Sequence, residues 1–281
     1  MVSRSRARGS RSRPGRSKRA SQRSAVRGVH VGPAIQAPDI ATQHEALATR
    51  IIQERMEAMA DALGAKEADG SDQDFRTLYE LMRESYEVCD SLMAELELDP
   101  PLACKRGCVY CCYNQVSLTA PEALFLGFYL LETRGPQQLQ ELELRARALV
   151  ERMRGKGRQE IGMERHLYPC LFLEQGNCSI YPARPLVCRG WNSVSEAMCL
   201  ESNQSGDALT PIENHAIMRL LAESVQLGLL HGASALGLEA GYLLLARAMA
   251  LLLDGGLEKN VLSCAEDWLR GGAFFARKKA W

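Results

Sequence analysis

Residues 100–112 read PPLACKRGCVYCC: two prolines, then Cys104, Cys108, Cys111 and Cys112 within nine residues. Proline lacks the helical N–H and pushes its predecessor towards extended geometry, so Asp99-Pro100-Pro101 ends the preceding helix and opens a cysteine-bearing loop. Thiolate is the softest common protein ligand, and an all-sulfur shell selects zinc or an iron–sulfur cluster over magnesium or calcium. The cysteines thus sit in irregular chain between segments of helical periodicity. That pattern predicts a mainly α fold, a helical domain with an irregular cysteine-rich metal-binding insert and one short β-hairpin.

Upstream of the prolines, 40–63 has helical character. Ser71 opens a stronger helix, whose apolar positions Phe75, Leu78, Met82, Cys89, Leu92 and Leu96 recur at three and four. Cys89 lies on that stripe and reads as a core cysteine. Downstream, Thr119 and Glu122 form a capping-box pattern before an apolar helix to about Glu132, and Gly135-Pro136 punctuates before another to Met153. Residues 154–167 read as a polar connection. The segment 171–181 holds two short apolar runs around Glu174-Gln175-Gly176-Asn177, a hairpin signal. Helical patterns return over 211–229 and 233–253, stop at Asp254-Gly255-Gly256, and resume to about Leu269 with Cys264 on the apolar face.

A second cysteine group follows in CLFLEQGNCSIYPARPLVCR, residues 170–189, with Cys170, Cys178 and Cys188, and Cys199 lies beyond it. Cys108 and Cys111 have the C-x2-C spacing that lets one turn present two ligands to one metal. Adjacent side chains diverge, so Cys111 and Cys112 strain to fill two corners of one tetrahedron, and a second metal or a bridging role follows. Eight thiolates carry a charge that two dications only half neutralise, so nearby cations matter. Lys105, Arg106, Arg184 and Arg189 are placed to supply it.

These residues resemble the YkgJ-type, CxxCxxCC cysteine-cluster family of zinc- or iron-chelating domains. The resemblance rests on Cys104, Cys108, Cys111, Cys112, Cys170, Cys178, Ile180, Tyr181, Arg184, Pro185, Cys188 and Arg189, with Cys199 the candidate for a later family cysteine. It covers about residues 100–200 and implies the eight cysteines as metal ligands, with Tyr181, Arg184 and Arg189 as cofactor-binding residues. Similar proteins are often labelled iron–sulfur oxidoreductases, and flagellin lysine N-methylases carry a similar pattern. The resemblance therefore implies an iron–sulfur cluster or Zn2+, the former favoured, with a redox or cluster-dependent role. A structural zinc-binding interaction protein and a methylase-like modification enzyme are the alternatives. No catalytic residue is assigned, and the protein partner or substrate is not named.

Cys104, Cys108 and Cys111 also satisfy the C-x3-C-x2-C spacing of radical-SAM enzymes, but no repeating βα pattern follows and Cys112 has no place in that scheme. The chain has no glycine-rich strand-to-helix turn for a conventional methyl-donor site. His166 is the histidine near the second group and reads as a solvated loop residue rather than a further ligand.

The 281 residues are 46% hydrophobic, enough for an ordinary core, and the formal net charge of zero conceals an asymmetry. Residues 1–28 carry ten Lys or Arg and no acid, leaving 24 basic against 34 acidic residues in the rest. The expected organisation is a disordered Arg/Ser-rich tail over 1–38, N-terminal helices over 39–99, the cysteine-cluster domain over 100–200, and C-terminal helices over 201–281 packing on the same core. The tail offers weak nucleic-acid contact or resembles an organelle transit peptide. No apolar run is long enough for a transmembrane span, and no secretory signal opens the chain. A reducing, cytoplasmic location is expected, where clustered thiols bind metal rather than pair.

Overall fold

The computed structural model describes residues 40–64, 72–205, 207, 209–273 and 275. The Arg/Ser tail and Ser71 lie outside them. Ten α-helices and two small antiparallel two-stranded sheets make up the regular structure of the described residues, a mainly α fold with a cysteine-rich insert.

Helices α1 (Ile40–Leu63) and α2 (Asp72–Ala94) precede the prolines. On α2, the periodic Leu78, Met82 and Cys89 are all fully buried, as their spacing predicts. Helix α3 (Ala120–Thr133) opens on the expected capping box: the Thr119 N–H and hydroxyl both donate to Glu122 Oε2, at 2.8 and 3.0 Å. Helix α4 (Pro136–Arg152) starts at the proline that marks it.

The stretch 154–167 is more ordered than a polar connection: it forms the short helix α5 (Arg158–Met163) and a 3-10 turn, Arg165–Leu167. The turn buries Arg165, which donates to Ser202 Oγ at 2.6 Å. Such one-turn elements lack an apolar stripe and are held by tertiary contacts, so periodicity cannot reveal them. The expected hairpin is present as β2 (Leu173–Glu174) and β3 (Asn177–Cys178), with Leu173 opposite Cys178. Its two turn residues, Gln175 and Gly176, both have positive φ, 51° and 75°, the geometry that matches strand twist in a two-residue loop.

Helices α6 (Leu186–Gly190) and α7 (Glu196–Gln204) follow, and Ser195 Oγ caps α7 by accepting from the Met198 N–H at 3.3 Å. Helix α8 (Ala216–Ala235) starts later than its pattern suggests and ends in a Schellman motif at Gly237 (φ 73°), with Leu238 N donating to Ala233 O at 2.9 Å and Gly237 N to Ser234 O at 3.0 Å. The apolar run 233–253 is therefore not one helix. Its middle carries β4 (Leu243–Leu244), which pairs with β1 (Ser117–Leu118), and only Leu245–Leu253 forms α9. Helix α10 (Leu257–Leu269) buries Val261, Cys264 and Trp268 together, as expected.

The long helices form the frame. Helix α8 lies against α1, α2 and α6, while α3 and α9 pack with α10. At the α1–α8 crossing a Cβ on Gly228 would stand 2.6 Å from Arg55 Cβ and 2.7 Å from Ile52 O, so only glycine permits this approach. No described helix is long and apolar enough to cross a membrane.

Candidate metal centre

The first cysteine loop is shaped by its own backbone. Cys108 N donates to Lys105 O at 3.0 Å in a turn whose Gly107 has φ 89°, and Cys112 N donates to Val109 O at 2.9 Å as the chain enters the 3-10 turn Tyr110–Tyr113. This folding presents four thiols from one short arc. The loop is then fixed to distant chain at two ends. Ala103 N donates to Ser193 O at 2.9 Å, and the Cys104 thiol donates to the same oxygen at 3.8 Å, just before α7. At the other end Cys170 N donates to Cys112 O at 2.7 Å, and Gln115 Nε2 to Tyr168 O at 2.7 Å.

All eight predicted cysteines are free thiols, and these anchors bring the chain segments that carry them into one region. Two triads form within it: Cys104, Cys108 and Cys199 lie within electrostatic reach of one another, and so do Cys170, Cys178 and Cys188. The charge of Cys111 bears on every member of both triads, and its thiol is hydrogen-bonded with that of its neighbour Cys112. The grouping cuts across chain order. Cys199 joins the first loop because α7 packs on the 3-10 turn Tyr110–Tyr113.

Burial is the main force raising the thiol pKa of Cys104, Cys108, Cys170, Cys178, Cys188 and Cys199, with neighbouring thiols adding to it and Cys170 reaching about 11. For Cys111 the hydrogen bond with Cys112 is the largest cause, and burial is second. As whole residues Cys104 and Cys111 are exposed, and the other six are partly buried.

The cationic residues divide. Arg184 stacks on the Tyr181 ring at 4.0 Å, and its charge favours the thiolate at Cys104, Cys111 and Cys178. Its Nε is buried without a hydrogen-bond partner. Arg189 faces the helical frame instead. Its Nε donates to Arg184 O at 3.2 Å, one terminal nitrogen to Pro182 O at 2.6 Å and the other to Asp90, while its guanidinium covers the Tyr86 ring at 4.3 Å. Lys105 pairs with Glu196 at 2.6 Å, and Arg106 Nε donates to Asn177 Oδ1 at 3.4 Å, both at the surface. His166 is exposed. Cys89 is buried among apolar neighbours, and burial pushes its thiol up to about 12, the behaviour of a core cysteine.

Three further participants are linked to the site only through the fold. Arg145 of α4 donates to Leu171 O, and its charge reaches Cys170. Ser193 holds the Cys104 loop through its carbonyl. Glu122 accepts the Leu186 N–H at 2.9 Å, fixing the start of the short helix that carries Cys188.

The donor set is all sulfur and fits a thiophilic ion or an iron–sulfur cluster rather than a hard cation. Among the described residues no three His, Cys, Asp or Glu side chains stand in a metal-holding arrangement. The Arg184 Nε is a buried donor without an acceptor, which is rare.

No curated protein and no solved structure matches the chain. Residues 103–206, the span that holds both triads, Cys111 and Cys112, match the model of the CxxCxxCC family, described as "Putative zinc- or iron-chelating domain".

Proposed function

We propose that the eight cysteines hold an iron–sulfur centre with a redox or cluster-dependent role. The observation that supports the reading is the donor set itself: eight free thiols in the segment that matches a zinc- or iron-chelating family model. In the proposed centre Cys104, Cys108 and Cys199 form one lobe and Cys170, Cys178 and Cys188 the other, with Cys111 and Cys112 at the seam. That supplies two adjacent groups of ligands, one cluster plus a metal or two metals. When bound, such a centre supplies electron transfer or Lewis acidity, and the chain supplies thiolates, a partly open face at Cys104 and Cys111, and the charge of Arg184. The clustered free thiols suit a reducing compartment such as the cytoplasm.

Anaerobic purification followed by iron, zinc and acid-labile sulfide quantification tests this. The expected result is a brown protein with stoichiometric sulfide and visible absorption; a colourless protein with near-integral zinc and no sulfide sinks it.

A zinc staple is the second reading, favoured by the shortness of the regular elements around the thiols: 3-10 turns, two-residue strands and the five-residue α6. Structural zinc supplies folding energy to such irregular chain directly. Under this reading chelation unfolds the segment without any redox response.

A further inference from the structure

The two guanidinium groups of the YPARPLVCR block behave oppositely. Every nitrogen of Arg189 is engaged by protein, with Arg184 O, Pro182 O and Asp90 as acceptors. Arg184 has its flat face on Tyr181 and its backbone carbonyl held by Arg189, yet its Nε is buried and meets no acceptor. Tyr181 is 60% exposed, so the ring lies on the solvent side of the contact, while the Arg184 Nε is buried. Neither feature serves the apo fold: a buried donor without an acceptor costs stability, and natural structures retain few of them. Its charge favours the thiolate at Cys104, Cys111 and Cys178 of the candidate site, and also at the core cysteine Cys89.

We propose that Arg184 is a positioning residue of the loaded centre: its Nε–H donates to a seam thiolate once metal is bound, and its charge holds the two triads together. The inference rests on the metal-binding reading of the eight cysteines. An N–H···S bond draws electron density from the thiolate, orienting it and offsetting the surplus negative charge of an all-cysteine shell. Arginine suits the task because its planar fork stays charged when buried and stacks on an aromatic ring while donating.

Titration of the full chain with Co2+ under anaerobic, reducing conditions, followed by Zn2+ competition, tests it. R184M is expected to keep the helical circular dichroism of the metal-free protein. It should bind Co2+ about 10- to 100-fold more weakly, the usual effect of losing an outer partner of a metal ligand. Its sulfur-to-cobalt charge-transfer band should move to lower energy. R184K, which keeps a charge but loses the fork, should fall between R184M and the wild type.

R184M with wild-type affinity and an unmoved band overturns the proposal while leaving the metal reading standing. If R184M loses helix, R184K decides, and an affinity for Co2+ within twofold of wild type overturns the proposal. A wild-type chain that takes up neither ion overturns the metal reading, and this inference with it.

Discussion

Glu122 places a buried side chain under four donors. Its Oε2 accepts from the Thr119 N–H, the Thr119 hydroxyl and Gln226 Nε2 at 2.8, 3.0 and 2.8 Å, and its Oε1 accepts from Leu186 N at 2.9 Å. Burial raises its pKa, and these donors oppose the rise. Glutamine has the same shape but turns one oxygen into a donor, which must then face a donor already in place. E122Q is therefore expected to lower the unfolding free energy by about 1–3 kcal/mol, the penalty for a buried polar group left unpaired. Urea unfolding with an unchanged m value checks this, and a loss below about 0.5 kcal/mol contradicts it. Half of this residue's role is legible in sequence. The T-x-x-E spacing shows the cap, but Leu186 and Gln226 are 64 and 104 positions away and reach Glu122 only through the fold. Arg189 gives the same lesson: its place beside Cys188 suggests the cysteine site, while Asp90 and Tyr86 on α2 claim its guanidinium.

Helix α6 carries Cys188 on five residues, too short to be stable alone, so its position comes from the surface it lies on. That surface is α8. A Cβ added to Gly190 would stand 2.9 Å from Ala222 Cβ and 3.1 Å from Arg219 Cα, where neither neighbour can swing away. G190A should push α6 off α8, cost about 1–3 kcal/mol as an overpacked contact, and weaken metal uptake through the displaced Cys188. G157A, which meets nothing within 4 Å, serves as the control. Thermal melts and metal quantification read both effects, and wild-type values for G190A defeat the expectation. Legibility at this scale follows length and period. The long helices repeat at three and four for several turns, and Glu174-Gln175-Gly176-Asn177 names its own hairpin. Helices α5 and α7 are short and polar, and β1 and β4 are dipeptides that exist only by pairing with each other. The break between α8 and α9 was hidden by composition, because apolar residues run through it, and only the positive φ of Gly237 reveals the stop.

Taken as a whole, the molecule is a helical frame that gathers thiols from chain segments up to 95 positions apart, from Cys104 to Cys199. Chain order suggests two halves, 104–112 and 170–199; the frame redistributes them by laying α7 on the first loop, a long-range contact that no spacing rule encodes. Burial and mutual repulsion, and at Cys111 first of all the hydrogen bond with its neighbour, raise the thiol pKa of Cys104, Cys108, Cys111, Cys170, Cys178, Cys188 and Cys199. Two opposite pH trends follow. In the metal-free protein a thiol whose folded pKa exceeds its unfolded value contributes stability that is complete below the unfolded value, and that contribution disappears as pH climbs through the folded one. The metal-free chain should therefore lose stability in alkali, from about pH 8.5 upward, the ordinary thiol range. Metal uptake runs the other way, since each ligand must surrender a proton, and each proton released makes affinity rise about tenfold per pH unit. Across pH 6 to 8, zinc affinity measured against a competing chelator should rise with a logarithmic slope of about 2–4 per site for a four-thiolate shell. A slope below about 1 would mean that fewer than two thiols ligate the ion. Melting curves of loaded and metal-free protein should consequently diverge as pH rises, and curves that run parallel would disconnect these thiols from the metal.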